Sequence, residues 1–227
     1  MPGLGTKFKK MNTTGHILRD IYQKLFDRFG PQGWWPAETP FEVCVGAILT
    51  QNTNWQNVER AIANLKERDL LYPQALYKTP VEDLANLIKP AGYFRIKAKR
   101  LKNFVEFLVE EYQGKLETLF SSGLKEAREK LLSVKGIGPE TADSMLLYAG
   151  NLPIFVIDAY TRRILCRHGL AHEDMSYDDL QELFMKNLPE DVNLFNEYHA
   201  LLVACGKNFC RPKNPLCEEC PLKGVSL

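Results

Sequence analysis

Val134-Lys-Gly-Ile-Gly-Pro-Glu-Thr-Ala-Asp143 is the stretch of this 227-residue chain that decides its fold. Gly136 and Gly138 allow a tight turn because neither residue carries a Cβ. Pro139 suits the first position of a helix, and Glu140 falls in the first turn, where negative charge is favoured. The stretch therefore predicts a turn that opens a helix, and the free N–H groups of such a turn can bind phosphate oxygens without reading sequence. An ordinary connection between two helices can look the same.

One acidic residue is prominent downstream of this turn. Asp158 follows the apolar run Ile154-Phe-Val-Ile157 and precedes a helical segment that begins Ala-Tyr-Thr. This position favours a helix N-cap. The same carboxylate could instead act on whatever the preceding turn positions, and both roles are compatible because a carboxylate has two acceptor oxygens.

Helical periodicity dominates the rest of the chain. Apolar residues recur at three-to-four spacing between residues 17 and 29 and again between residues 84 and 88, and Gly and Pro punctuate the segments. Capped helix starts are predicted at Thr79-Pro-Val-Glu82 and Ser176-Tyr-Asp-Asp179. Because no alternating strand pattern or internal repeat occurs, we predict an all-α protein.

Charge and hydropathy exclude other classes. The net charge is only +1, so any contact with nucleic acid must come from local patches. One candidate is Lys89–Lys102, which carries six basic and no acidic residues, although a solvated helix face has the same composition. No apolar run reaches the roughly 20 residues of a membrane span, and no secretory signal is recognisable. We expect a cytoplasmic protein, or a nuclear one in a eukaryote, without a membrane partner.

Four of the six cysteines are crowded near the C-terminus: Cys205, Cys210, Cys217 and Cys220. Such crowding indicates a metal site in a reducing compartment, not a disulfide framework. The other two, Cys44 and Cys166, lie in apolar helical surroundings, and we interpret them as buried packing residues.

The chain resembles the endonuclease III family of helix-hairpin-helix DNA glycosylases from about residue 16 to its C-terminus. The features that carry the resemblance occur in the family's order: Leu49-Thr-Gln-Asn-Thr53, Ile88-Lys-Pro-Ala-Gly92, Gly136-x-Gly138, Asp158 and the cysteine cluster. The resemblance implies two α-helical lobes with a DNA-binding cleft between them. One lobe would contain residues 1–34 together with 156–227, and the other residues 35–155 with the hairpin at about 126–148.

The resemblance also implies roles for individual residues. Asp158 would be catalytic, and Gly136 and Gly138, helped by Lys135, would hold the DNA backbone. Gln51 would fill the space that a flipped base leaves in the duplex, although a glutamine at a helix end could also bond nearby backbone. The implied partner is double-stranded DNA containing damaged bases, and we expect a monomer.

Glu140 departs from the endonuclease III pattern. Bifunctional members of the family carry a lysine at this position, and its amine attacks the sugar and cleaves the strand through a Schiff base. A carboxylate cannot form an imine. We therefore expect a monofunctional glycosylase whose abasic-site lyase activity is absent or weak. Glu140 would belong to the base pocket without a defined role there.

Tryptophans mark the second departure. Trp34-Trp35-Pro36 and Trp55 make the chain similar to the 3-methyladenine glycosylase branch, in which aromatics at Trp34 and Trp55 form the base pocket. A methylated, cationic adenine gains about 0.5–2 kcal/mol from an indole face. We expect Trp34 or Trp35 to line the cleft, although each could pack in the core, and Trp55 could staple its helix. The expected substrates are alkylated purines such as 3-methyladenine. The alternatives are a mismatch or oxidised-pyrimidine glycosylase and a non-catalytic binder of distorted DNA.

The cysteine loop matches the family only in part. The family's iron–sulfur loop has the spacing Cys-x6-Cys-x2-Cys-x5-Cys. Cys210, Cys217 and Cys220 match its first three positions, and Ser226 stands at the fourth. Either Cys205 or Ser226 would complete a [4Fe–4S] cluster, or the loop holds none. A four-thiolate zinc site is a further alternative.

Overall fold

The computed structural model describes residues 13–225, and the regular elements in this range are all helical. The α-helices are α1 (Thr13–Phe29), α2 (Pro40–Leu49), α3 (Trp55–Glu67), α4 (Pro73–Lys78), α5 (Val81–Leu87), α6 (Phe94–Tyr112), α7 (Leu116–Ser121), α8 (Leu124–Ser133), α9 (Pro139–Ser144), α10 (Ala159–Arg167), α11 (Tyr177–Met185) and α12 (Val192–Asn208). A 3₁₀ turn spans Lys89–Ala91, and a π-helix spans Met145–Ala149 directly after α9. The all-α prediction is confirmed.

The chain divides into two compact units. One contains the described residues up to Trp34 together with those from Pro153 onward, and the other contains Trp35–Leu152. The two units therefore divide after residues 34 and 152. The boundaries expected from the sequence were after residues 34 and 155.

Helix α2 lies at the centre of the Trp35–Leu152 unit. Residues 41–49 are all buried, as expected for a helix that is hydrophobic all round. Thr39 caps its start by accepting a hydrogen bond from the Glu42 N–H at 3.1 Å, and Pro40 occupies the first turn. Helices α3, α6 and α9 and the π-helix pack against α2. The segment after α2 is thus held on a rigid base.

Helices α8 and α9 form the predicted hairpin. Gly136 has φ +99°, and a Cβ there would clash with the Arg100 side chain, so only glycine fits. Gly138 is the N-cap of α9, which begins at Pro139. Arg128 on α8 and the fully buried Asp143 on α9 form a two-pronged ion pair, with N···O distances of 2.7 and 3.2 Å. This pair, which sequence reasoning missed, fastens the two helices together.

The two predicted capped helix starts have different outcomes. Ser176 and Asp179 form the predicted capping box at the start of α11. The prediction at Thr79 is wrong, because α5 begins at Val81 without a side-chain cap. The Thr79 hydroxyl instead donates to the Ala75 carbonyl at 2.8 Å and completes the end of α4.

The unit that contains α1 and α10–α12 has an aromatic core. The Phe155 ring stacks on Phe184 with centroids 3.8 Å apart, and Phe195 and Tyr198 meet Phe155 edge-on. The buried Tyr198 hydroxyl donates to the Leu18 carbonyl at 2.7 Å, which ties α12 to α1. Among the described residues, no helix combines the length and apolar character needed to cross a membrane.

Candidate functional site

Gln51 lies against the hairpin turn. Its amide nitrogen donates to the Thr141 hydroxyl at 2.9 Å and to the Gly136 carbonyl at 3.3 Å. Arg100 donates to the amide oxygen of Gln51. The side chain therefore bonds the hairpin and not its own helix end. Insertion into DNA would require it to exchange these bonds for new ones.

The hairpin turn presents its outer residues to solvent. Lys135, Gly138 and Glu140 are exposed, whereas Ile137 is buried beneath them. Asn103 donates to the Lys135 carbonyl at 2.8 Å, which fixes the backbone and leaves the lysine side chain exposed. An exposed N-terminal helix turn beside a lysine is suited to bind a phosphate.

Trp35, Trp55 and Tyr148 form an aromatic cluster. The Trp35 ring meets Trp55 edge-on with centroids 5.2 Å apart. The Tyr148 ring is tilted against Trp35, and their centroids are also 5.2 Å apart. All three residues are half-buried. Gly46 on α2 makes room for the Trp35 indole, because a Cβ there would lie 3.3 Å from the indole nitrogen. The site thus offers flat apolar faces with partial access to solvent.

The structure pairs Trp55 with Trp35 and adds Tyr148, which sequence reasoning missed. Tyr148 comes from the π-helix, in which the Gly150 N–H bonds the Met145 carbonyl at 3.0 Å. This hydrogen bond spans five residues, one more than in an α-helix, and so shifts the side-chain register there. The sequence contains no signal of this shift. The Trp34 ring belongs to the other unit, where the Lys207 ammonium lies 5.6 Å from its centroid.

Both carboxylate oxygens of Asp158 have defined neighbours. Oδ1 accepts the Thr161 N–H at 2.7 Å and so caps α10, while Oδ2 lies 3.6 Å from His199 Nε2. Burial raises the pKa of Asp158, but the neighbouring His199 imidazole and the bonds from Thr161 outweigh burial. The net pKa lies below its ordinary value, so the group is held as a carboxylate.

His199 is a site residue that sequence reasoning missed. It is buried on α12 among the apolar residues that face the core. In the sequence it is one of four histidines and has the surroundings of an ordinary packing residue. The contact with Asp158, forty-one positions earlier in the sequence, distinguishes it from such a residue.

The basic segment Lys89–Lys102 is less available than its composition indicates. The Lys97 ammonium is buried and donates to the Leu49 and Ala91 carbonyls at 2.8 and 2.7 Å. Burial and the charge of Arg100 lower its pKa to about 8. Since Arg100 and Lys102 also donate to protein oxygens, the exposed cations of the segment are Lys89, Arg95 and Lys99.

The four C-terminal cysteines lie in the unit that contains Asp158. Cys205 and Cys220 have their sulfurs 4.0 Å apart, and none of the four forms a disulfide. Cys210, Cys217 and Cys220 line a cavity of about 230 Å³. The hydrogen bond from Cys205 lowers the pKa of the Cys220 thiol to about 6, while this bond and burial raise that of Cys205.

This donor set suits an iron–sulfur cluster better than a single zinc ion. Among residues 13–225, no three His, Cys, Asp or Glu side chains approach closely enough to hold one metal ion. A cubane is larger and separates its thiolates, so a cavity lined by cysteines fits it. The Arg167 guanidinium donates to Cys210 Sγ at 3.3 Å, as donors to cluster-bound sulfur do. Ser226 lies outside the described residues.

The two remaining cysteines differ from each other. Cys44 is fully buried in α2, as predicted, and burial raises the pKa of its thiol. Cys166 is only half-buried, because its position on α10 leaves part of the side chain at the surface. The packing interpretation therefore holds for Cys44 and only in part for Cys166.

Sequence comparison finds two matching families. The model of the HhH-GPD superfamily of base excision DNA repair proteins matches residues 45–190. The model of the iron–sulfur binding domain of endonuclease III matches residues 210–225. The first match includes the hairpin, the aromatic cluster residues Trp55 and Tyr148, and Asp158.

Individual proteins are similar over nearly the whole chain. A Methanocaldococcus jannaschii protein with the provisional name DNA repair glycosylase is 51% identical over 93% of this chain and 96% of its own. Endonuclease III of Thermotoga maritima is 36% identical over 91% of each chain. The structure of H. pylori 3-methyladenine DNA glycosylase bound to 1,N6-ethenoadenine has a TM-score of 0.73 and 29% identity over 86% of this chain and 97% of that one. An endonuclease III–DNA complex has a TM-score of 0.81 at 22% identity, over 95% of this chain and 96% of that one, which shows the shared fold.

Proposed function

Because the chain belongs to the HhH-GPD superfamily of base excision DNA repair proteins, we propose that it is a monofunctional DNA glycosylase for alkylated purines such as 3-methyladenine. It would flip the damaged base out of double-stranded DNA and hydrolyse the N-glycosidic bond, acting as a monomer. The observation that carries the proposal is the aromatic cluster of Trp35, Trp55 and Tyr148, in the unit whose hairpin carries Glu140 in the first turn of α9.

The aromatic cluster supports the choice of substrate. An N-methylated adenine is cationic, and indole and phenol faces attract a cation by about 0.5–2 kcal/mol. The half-buried rings of Trp35 and Trp55 are exposed enough to receive a base and buried enough to hold one. The H. pylori relative of known structure is a 3-methyladenine glycosylase, which agrees with this choice.

Glu140 supports the monofunctional chemistry. Strand cleavage through a Schiff base requires an amine in the position of Glu140, and a carboxylate cannot form an imine. Lys135 lies on the other side of the turn, beyond Gly138. The abasic product would therefore keep its strand intact until alkali or a second enzyme cleaves it.

Asp158 would perform the chemistry on the sugar. Loss of the base develops positive oxocarbenium character, and a carboxylate stabilises this charge or orients the attacking water. Because Oδ1 accepts the Thr161 N–H, the other oxygen, Oδ2 next to His199, would face the sugar or the water. The lowered pKa keeps the group ionised at neutral pH.

The hairpin and Gln51 would hold the distorted duplex. The exposed turn of Lys135, Gly136 and Gly138 would bind a phosphate beside the lesion. Gln51 would leave Thr141 and enter the space of the flipped base, where its amide can bond the partner base. Base flipping costs a few kcal/mol, and least for a damaged or mispaired base.

The cysteine loop would hold a [4Fe–4S] cluster. Cys210, Cys217 and Cys220 match the family's iron–sulfur domain, whose model covers residues 210–225. When bound, the cluster would supply structural cross-links. The exposed Lys207, Arg211 and Lys213 near the loop are available for phosphates.

The test is base release from methylated duplex DNA. We expect the wild type to release 3-methyladenine and Asp158→Asn to release none, because an amide cannot stabilise the oxocarbenium charge as a carboxylate does. Asp174→Asn, an exposed position in the same unit, is the matched control and should retain full activity. Strand breaks should appear only after alkali.

Other outcomes would change specific parts of the proposal. Breaks without alkali would contradict the role given to Glu140. Release of an oxidised pyrimidine or a mispaired base without any methylated purine would contradict the proposal that alkylated purines are the substrates. Binding without release by both the wild type and Asp158→Asn would indicate a non-catalytic binder.

A further inference from the structure

We propose that Cys205, and not Ser226, completes the ligand set of the cysteine loop, with Cys210, Cys217 and Cys220. The inference rests on the proposed cluster and concerns only which residue is its fourth ligand. The fourth family position carries a serine in this chain, so the loop 210–225 contains only three thiols. The missing thiolate must come from another element if the cluster has four.

Cys205 lies at the end of α12, directly before the loop. Its carbonyl accepts hydrogen bonds from the N–H groups of both Phe209 and Cys210, each at 2.9 Å. These two hydrogen bonds to one carbonyl end the helix and fold Cys210 back over its last turn. Two of the four cysteines are therefore placed at the same helix end by local backbone structure.

The loop then returns to this helix end. The Leu216 N–H bonds the Phe209 carbonyl at 2.9 Å, which brings the following residue, Cys217, back to where the loop began. A turn between Cys217 and Cys220, closed by an N–H···O bond of 3.3 Å, then carries the chain to Cys220. The result is the sulfur–sulfur distance of 4.0 Å between Cys220 and Cys205.

Two arginines hold the loop and concentrate positive charge around it. Arg163 donates to the Cys210 carbonyl at 2.7 Å. Arg167 donates to Cys210 Sγ at 3.3 Å and to the Arg211 and Pro212 carbonyls at 2.7 and 3.1 Å. A cluster with four thiolates is anionic, and guanidinium groups at this distance offset its charge.

The alternative role for Cys205 is packing in the core, which is the role of Cys44. Both side chains are fully buried in helices. Cys205 differs because its sulfur meets a second thiol that lines the cavity, next to Cys210 and Cys217. Sulfur is also the ligand that iron–sulfur clusters use, whereas a serine hydroxyl loses its proton far less readily than a thiol.

The test measures iron and acid-labile sulfide in protein purified without oxygen. We expect Ser226→Ala to retain the full wild-type content and the visible absorbance of the cluster. Cys205→Ser should lose at least a quarter of the iron, with a changed electron paramagnetic resonance spectrum. Cys44→Ser, which places the same hydroxyl in an equally buried site, is the matched control and should retain the cluster.

A rescue variant protects the test against simple misfolding. Cys205→Ala combined with Ser226→Cys moves the fourth thiol to the family position and should regain the iron that Cys205→Ala alone loses. In the wild type, mass spectrometry should find Cys205 alkylated by iodoacetamide only after unfolding or removal of iron.

The two proposals fail separately. Wild-type protein without iron and sulfide, with zinc in their place, or with a Cys205–Cys220 disulfide would overturn the cluster and the ligand assignment together. Wild-type protein with the cluster, but with full iron content in Cys205→Ser and loss in Ser226→Ala, would overturn only the assignment of Cys205. Base release by the wild type tests the glycosylase proposal independently of either result.

Discussion

At the scale of single residues, Asp158 combines two tasks that compete for its oxygens. Capping α10 uses Oδ1 and fixes the rotamer, which leaves Oδ2 for the proposed chemistry and places it 3.6 Å from His199. A carboxylate buried to this degree would otherwise have a raised pKa and be partly protonated. His199 and Thr161 reverse that effect, so the structure maintains the ionised form that the proposed reaction needs.

This balance predicts a pH dependence. Since the folded-state pKa of Asp158 is below its ordinary value, its contribution to stability and activity is present above that ordinary value and lost as the pH falls through the lowered one. His199→Gln removes the imidazole that helps to lower the pKa of Asp158, so the acidic limb of the single-turnover excision rate should move to higher pH.

The matched control for this experiment is His172→Gln, which changes an exposed histidine of the same unit. Its profile should superimpose on that of the wild type. A His199→Gln profile with an unshifted acidic limb and only a uniformly lower rate would mean that His199 supports packing alone.

At the scale of elements, the hairpin depends on more than its glycine turn. Helix α8 and the short helix α9 would bury few apolar side chains by themselves, and Arg128–Asp143 joins them through two hydrogen bonds. The π-helix that continues α9 then directs Tyr148 toward Trp35. One continuous stretch of chain thus supplies both the turn proposed to bind phosphate and part of the aromatic cluster.

The hairpin ion pair predicts a loss of stability. Asp143→Asn removes a fully buried charge and with it the two-pronged ion pair to the guanidinium of Arg128, which is 22% exposed. Breaking a buried pair in this way costs about 3 kcal/mol, at the lower end of the usual range because Arg128 is partly solvated. Urea unfolding monitored by circular dichroism measures the change.

A surface pair in the same unit provides the comparison. Lys130 and Glu111 lie 3.8 Å apart with both side chains about half exposed, so Glu111→Gln should cost between about 0 and 1 kcal/mol. Equal losses for Asp143→Asn and Glu111→Gln would show that the hairpin pair has no special structural importance.

At the scale of the whole molecule, charge is nearly balanced, with a net charge of +1. DNA binding must therefore depend on a few exposed cations and on backbone N–H groups, not on a general positive field. The structure narrows the candidates further, because Lys97, Arg100 and Lys102 are occupied by protein oxygens.

A salt titration tests this small set of contacts. If Lys135 binds one phosphate, Lys135→Ala should reduce the slope of log affinity against log salt by about 0.9 and weaken binding to all duplex sequences alike. Lys115→Ala, an exposed lysine of the same unit outside the hairpin, should leave the slope unchanged. An unchanged slope in Lys135→Ala would remove Lys135 from the proposed interface.

Local features of this protein were determined by its sequence alone. The left-handed φ of Gly136, the start of α9 at Pro139 and the cap at Asp158 depend on neighbours within a few positions. Such features follow from backbone sterics and short-range hydrogen bonds, and they sufficed to predict an all-α fold with a hairpin.

Only the tertiary structure decided which distant residues meet. Trp55 pairs with Trp35 because Gly46 makes room for that indole, and Asp158 meets His199 because α10 packs on α12. The return of the C-terminal loop, closed by the bond from Leu216 to Phe209, brings Cys220 to Cys205 at the end of α12. Each contact joins residues on different elements, and its formation depends on how side chains fill the space between helices. Residue spacing along the chain carries no direct record of that packing.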